Sequence, residues 1–209
     1  MQLADNVGFY TGAIYRDPSL KAGFPGEGKR SRDCIAIKTH WPWYKGDIDN
    51  VPYERVVLIL REPLAAITAE FKRHSGGHTA QPKKVDPKVW RNYVEEQLLR
   101  NLKFHQFWFS LAETRKQDLF ILFYEDLKLT PRRALSNLGH FLGTTDYSRH
   151  LDCVLKNSEG SYHRKATVDP FKDLDSFPLR IAGLKFHLNQ MVNNCTSQGR
   201  CVTSGTTHY

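Results

Sequence analysis

Short apolar runs alternate with longer stretches whose apolar residues recur at helical spacing. The first run is "CIAIK", Cys34–Lys38, and the second is "RVVLILR", Arg55–Arg61, with Val56–Leu60 unbroken. The third is "LFILFY", Leu119–Tyr124. A continuous apolar run this short predicts a strand of a parallel sheet covered on both faces. Pro63 opens a helix through about His74, because proline suits the first turn, where its missing N–H would have no partner. Ser75-Gly76-Gly77 is expected to break it. From Pro87 to Glu113, Trp90, Val94, Leu98, Leu102 and His105 mark one face of a long helix. "TPRRALSNLGHFLG" predicts a compact helix. Thr130 is its N-cap, Leu135, Leu138 and Leu142 its buried stripe, and Gly143 its stop. Further helices are expected over Tyr147–Lys156 and Pro178–Val192, the latter burying Ile181, Leu184, Leu188 and Met191. Residues 1–33 show no sustained period and read as a surface segment. The domain is expected to end at residue 194, and the Ser/Thr/Gly-rich residues 195–209 to be a disordered tail.

Strands alternating with helices predict an α/β fold with a parallel sheet, whose ligands bind beyond the carboxyl ends of the strands. Attention therefore falls on Lys38, Thr39 and His40 after the first strand. Arg61, Glu62 and Pro63 follow the second, and Tyr124, Glu125 and Asp126 close the third. Lys38 and His40 are two residues apart and share a face in extended backbone. A fixed positive charge beside a histidine suits deprotonation of a hydroxyl next to a transferring anion. Arg61, at a strand-to-helix turn, offers a planar fork for phosphate near a helix N-terminus. "EGSYHRK", Glu159–Lys165, joins Gly160 to two cations, Arg164 and Lys165, in a loop that can clamp a phosphate. Glu125 and Asp126 are expected to organise the turn and neutralise nearby cations rather than act as catalytic carboxylates.

Composition narrows the partners. The chain has 209 residues and a net charge of +8, which favours anionic ligands. It has no dense basic run, zinc pattern or RNA-recognition signature, so no nucleic-acid partner is expected. No run approaches the length of a membrane span, and no signal peptide is visible at Met1. His74 and His78 flank glycines without a third ligand, and no metal site is expected. Cys34 and Cys153 read as core cysteines. Cys195 and Cys201 can close a small disulfide loop in an oxidising compartment. Asn194-Cys195-Thr196 fits the glycosylation acceptor pattern.

The order of "IKTHWP", "REP" and "FYEDLKLTPRRALSNLGHFLG" resembles the sulfotransferase family. "GFYTG", "CIAIKTH", "AEFKRHSGGH" and "NSEGSYHRK" are most similar to the sulfotransferase-like domain of WSC-domain-containing proteins. The resemblance implies a P-loop-type sulfotransferase fold and 3'-phosphoadenosine 5'-phosphosulfate (PAPS) as co-substrate, with no permanently bound cofactor. It also implies a carbohydrate or glycoprotein acceptor, sialic acid among the candidates. It places the full-length protein on the lumenal side of the Golgi membrane, with any anchor outside this chain. By the same resemblance His40 is the catalytic base and Lys38 steadies the donor's bridging oxygens. Arg61 grips the 3'-phosphate, and Arg164 and Lys165 close on it. Acceptor specificity is expected from Trp41–Asn50 and Gly76–Lys88.

The chain departs from the pattern at Ala166, where many relatives have glycine, and at Ala69, where the family has a serine on the 3'-phosphate. The family's opening strand, phosphosulfate-binding loop and helix have no counterpart; "GFPGEGKR" lacks the flanking strand and helix. The expectation is a domain lacking its first strand, loop and helix, with impaired donor binding and little catalysis. An inactive module that binds a nucleotide or acidic glycan is the alternative.

Overall fold

A strand buried on both faces must carry apolar side chains at consecutive positions, and "LFILF" does so. In a computed structural model of the chain it forms the centre of a three-stranded parallel sheet. The structure describes residues 10–13, 34–39, 53–76, 84–115, 118–144, 148–158 and 169–205. The chain divides into two units, Met1–Pro52 and Tyr53–Tyr209.

In the first unit, β1 (Tyr10–Ala13) pairs in parallel with β2 (Cys34–Lys38). The expected strand at Cys34–Lys38 is present. Its partner lies in the segment expected to be surface, because four residues are too few to show a period. Cys34 is half-buried.

In the second unit, β3 (Arg55–Leu60) and β4 (Asp118–Phe123) pair in parallel, Val57 beside Phe120 and Ile59 beside Leu122. β5 (Cys201–Thr203) joins β4 on its other side, also in parallel. Along the chain come α1 (Pro63–Gly76), α2 (Pro87–Arg115), α3 (Tyr124–Leu129), α4 (Pro131–Leu142), α5 (Ser148–Lys156) and α6 (Pro178–Ser197). The parallel α/β architecture expected from the run pattern is the architecture found. No helix among the described residues is long and apolar enough to cross a membrane.

One core cluster joins Ile67 and Phe71 of α1 to Val85, to Trp90 and Val94 of α2, and to Phe177 and Ile181. The Phe71 ring meets Trp90, Tyr93 and Phe171 edge to face, with centroids 5.0–5.7 Å apart. Each such pair adds about 0.5–1.5 kcal/mol beyond the area it buries. The buried Trp90 N–H is satisfied by donating to the Asp175 carbonyl at 2.9 Å. Burial of the Tyr93 phenol pushes its pKa up to about 12. Phe177 holds a left-handed φ of 50° at the start of α6, with its ring buried in this cluster. A second cluster forms where Ala134 of α4 covers Phe120 and Leu122, with Leu127, Leu138 and Phe141 packed around them.

Several expectations change here. β3 is not covered on both faces: Val57 is 37% and Ile59 56% exposed, while Leu58 and Leu60 are buried. Within the described sheet β3 is an edge strand, and α4 sits over β4 instead. Ser75 and Gly76 complete the last turn of α1 rather than ending it earlier. Tyr124 begins α3, so the "YEDL" turn is a short helix. Thr130 stands at the N-cap of α4 without a side-chain cap bond. Its hydroxyl instead donates back to the Asp126 carbonyl, at 3.4 Å. Gly143 stops α4 at φ 72°, as its residue type predicts. Of the expected stripe, Leu135 and Leu138 are half-buried and Leu142 is exposed; the buried residues of α4 are Ala134 and Gly139. Cys153 is exposed rather than core, on the outer side of α5.

The largest change concerns residues 195–205. α6 continues to Ser197, a Cys195–Cys201 disulfide turns the chain back, and β5 pairs with β4. Both cysteines are buried. A polar composition argues for disorder only where nothing else holds the backbone. Here a covalent link and an open strand edge hold it. The disulfide loop offered by the sequence is formed.

Candidate active site at the strand ends

The residues after β3 and β4 are brought together by the parallel register, which sets Leu60 beside Phe123. Arg61 follows the one and Tyr124 the other, and the Arg61 guanidinium lies 4.5 Å over the Tyr124 ring. Such a seat is worth about 0.5–2 kcal/mol and holds the cation at the end of β3.

Glu62 links three elements. Its backbone N–H donates to Glu125 Oε1 at 2.9 Å. Its Oε2 accepts the Ala65 N–H at 2.7 Å, so its side chain caps α1. Its Oε1 meets Lys185 Nζ of α6 at 2.8 Å. Burial pushes the Glu62 carboxyl up. The Lys185 hydrogen bond and charge, with the Ala65 and Leu64 amides, outweigh burial and hold it below the usual carboxylate range. The N-terminus of α1 is therefore already occupied by a carboxylate of its own chain. The Ala65 amide is taken, and the Arg61 guanidinium stands over Tyr124. Glu125 Oε2 is buried without a hydrogen-bond partner among the described residues.

Asp126 faces the other way. It is 2% exposed, and its Oδ2 accepts the Ser204 hydroxyl at 2.7 Å. Ser204 Oγ in turn accepts the Phe123 N–H at 3.0 Å, and Asn137 Nδ2 donates to the Ser204 carbonyl at 2.9 Å. A side chain at Gly205 would meet Asp126 Oδ2 at 2.6 Å, so the chain just after β5 can come this close only on a glycine. The expectation that Glu125 and Asp126 organise the turn thus describes what both do.

Lys38 stands exposed at the end of β2, in the other unit. Thr39 beside it is half-buried. His40, Arg164 and Lys165 lie outside the described residues, as do His78 and the loop 41–50. His74 is exposed beside Glu70 at 3.4 Å. Asn194 is exposed on α6, and its carbonyl accepts the Gln198 N–H. Among the described residues no group of three or more His, Cys, Asp and Glu could hold a metal ion.

Three functional neighbours had no assigned role from sequence. Glu62 had a usable signal, an acidic residue directly before a helix-opening proline. Lys185 sits in an amphipathic stretch where a lysine is unremarkable, and Ser204 in a segment expected to be disordered. Neither carried a signal.

Parallel strands, crossover helices and a charged cluster at the carboxyl strand ends make this an α/β protein with a parallel sheet. A family model described as "Sulfotransferase domain" matches residues 27–174. A "WSCD family member" of Aedes aegypti is 33% identical over 178 residues, which is 81% of this chain and 54% of that protein. One from Drosophila melanogaster is 32% identical over 184 residues, 82% of this chain and 55% of that protein. No solved structure matches the chain significantly. The chain belongs to the sulfotransferase family and is related to WSCD proteins. It spans about half the length of the curated relatives it matches.

Proposed function

We propose that this chain supplies the part of a sulfotransferase catalytic domain that carries the base and the 3'-phosphate grip, in a protein that moves a sulfuryl group from PAPS to a glycan hydroxyl, with sialic acid a candidate acceptor. The observation that carries the reading is the Arg61 guanidinium, seated on Tyr124 at the carboxyl ends of paired parallel strands. There it can take the donor's 3'-phosphate in a planar fork. Arg164 and Lys165 close on the same phosphate. Lys38 steadies the oxygen that bridges sulfur and phosphorus. His40 takes the proton of the acceptor hydroxyl. As that proton leaves, the acceptor oxygen bonds to sulfur, the bridging S–O bond breaks, and adenosine 3',5'-bisphosphate departs. Positioning and charge stabilisation do most of the work, and the base adds about 10²–10⁴ in rate.

The buried Cys195–Cys201 disulfide supports a lumenal setting, since such bonds persist in oxidising compartments. Asn194 is the candidate glycan attachment point there. Ala69 favours the second reading, a module that binds a nucleotide or acidic glycan without turnover, because its methyl cannot bond a phosphate oxygen.

The test uses the full-length protein with radiolabelled PAPS and a sialylated glycan. Transfer is expected, with His40→Ala lowering kcat by at least about a hundredfold. Arg61→Ala is expected to raise the donor KM. Binding of adenosine 3',5'-bisphosphate without transfer would select the second reading. Absence of both would overturn the proposal.

A further inference from the structure

Lys185 is the only cation that the described ion pairs set against Glu62. It comes from α6, which belongs to the C-terminal part of the chain, beyond the strand ends it touches. Glu62 is adjacent to Arg61. Its carboxylate is tethered at one oxygen by the Ala65 N–H and at the other by Lys185. A carboxylate left without its countercharge one residue along the chain from an arginine has two bad options for anion binding. It swings to pair with the guanidinium, or it stays and repels the incoming phosphate. Both side chains of the pair are about one-third exposed, so water weakens the contact without removing its directional effect.

We infer that Lys185 is a positioning residue for the donor: it holds the Glu62 carboxylate on the α6 side and so keeps the Arg61 guanidinium, seated on Tyr124, turned to phosphate. This rests on the assignment of Arg61 to the donor made above. Lys185 touches no reacting atom and acts through Glu62. The backbone of Glu62 is in turn pinned by Glu125, so its side chain is the part that can move.

The test compares Lys185→Met, Lys185→Arg and the double variant Lys185→Met/Glu62→Gln in the full-length protein. Lys185→Met is expected to raise the donor KM about tenfold, with kcat within about twofold. Lys185→Arg should stay within about twofold of wild type, and the double variant should recover most of the loss, because it removes the unbalanced charge. A merely structural lysine predicts no recovery on adding Glu62→Gln. An unchanged KM in Lys185→Met, or a double variant no better than the single, would overturn the inference. If wild-type protein neither transfers sulfate nor binds adenosine 3',5'-bisphosphate, the functional assignment fails by itself. Amide exchange at Ala65 in the unliganded protein then decides the positioning role. It should quicken several-fold in Lys185→Met and return to the wild-type rate in Lys185→Arg; an unchanged rate would sink that role too.

Discussion

Glu125 and Asp126 are neighbours in sequence, yet they serve two different fastenings. Glu125 belongs to a half-exposed, charged one, where Glu62 and Lys185 meet in front of the strand ends. Asp126 belongs to a buried one, where Ser204 ties the C-terminal strand to the sheet. The buried fastening has little room to move, because a methyl group at Gly205 would already collide with it. The charged one directly follows Arg61 in the chain and keeps partial access to water. Rigidity therefore lies behind the site, and adjustable charge lies at its mouth.

Breaking the buried side should cost most. Asp126→Ala removes the acceptor of the Ser204 hydroxyl, and a loss of about 3–4 kcal/mol is expected in urea unfolding. A loss below about 1 kcal/mol would mean that the two fastenings are energetically alike.

Acid separates a buried group from the half-exposed fastening next. His105 is buried, and its Nδ1–H donates to the Asn101 carbonyl. Burial pulls its pKa down to about 4, against the weaker upward effect of that hydrogen bond. Its neutral form is favoured in the fold, so stability is complete above about pH 6.5 and falls as pH drops toward 4, by about 3 kcal/mol. Glu62 behaves differently. Its folded pKa is depressed, so its contribution is full above the ordinary carboxylate range and is lost only as pH falls through the lower folded value. Between pH 6.5 and 5, His105→Leu should flatten the pH profile of thermal unfolding, and Lys185→Met should leave its slope unchanged.

Reduction of Cys195–Cys201 frees a short loop and should cost about 2 kcal/mol. It should also raise amide exchange in β5 before β3. Equal exchange in both would show that pairing with β4 alone holds the strand. Smaller still is Lys185→Met as a stability change, at about 0.5–1 kcal/mol, because the pair is partly solvated. Its donor KM should change about tenfold, somewhat more than that figure suggests, whereas the buried side acts chiefly on stability. The exposed Arg132–Asp152 pair should contribute under about 0.5 kcal/mol in a double-mutant cycle.

Much of the frame was readable from residue order. β4 announced itself because each of its apolar residues has a covered side. Pro131 and Gly143 marked the ends of α4 because their backbone preferences act locally. Arg61 was legible as a candidate because a parallel sheet always offers its carboxyl ends. The misreadings share one cause, which is that burial is not local. "RVVLIL" has nearly the same apolar density as "LFILF", but its position at the edge of the described sheet leaves Val57 and Ile59 exposed. Cys153 sits in apolar company by sequence and faces outward on α5.

What the amino-acid order determined alone is the three apolar strands at Cys34–Lys38, Arg55–Leu60 and Leu119–Phe123, the helices between them and the charged residues that follow each strand. Those depend on period, capping and turn chemistry, all of which act within a few residues. Only the tertiary structure decided that Glu62 pairs with Lys185, and that Asp126 binds Ser204 from 78 residues away. It also turned a polar, glycine-containing tail into a paired strand, because a disulfide and an open edge of β4 supply what its composition lacks. A side chain states the charge or hydrogen bond it can offer, but only packing selects which distant group meets it.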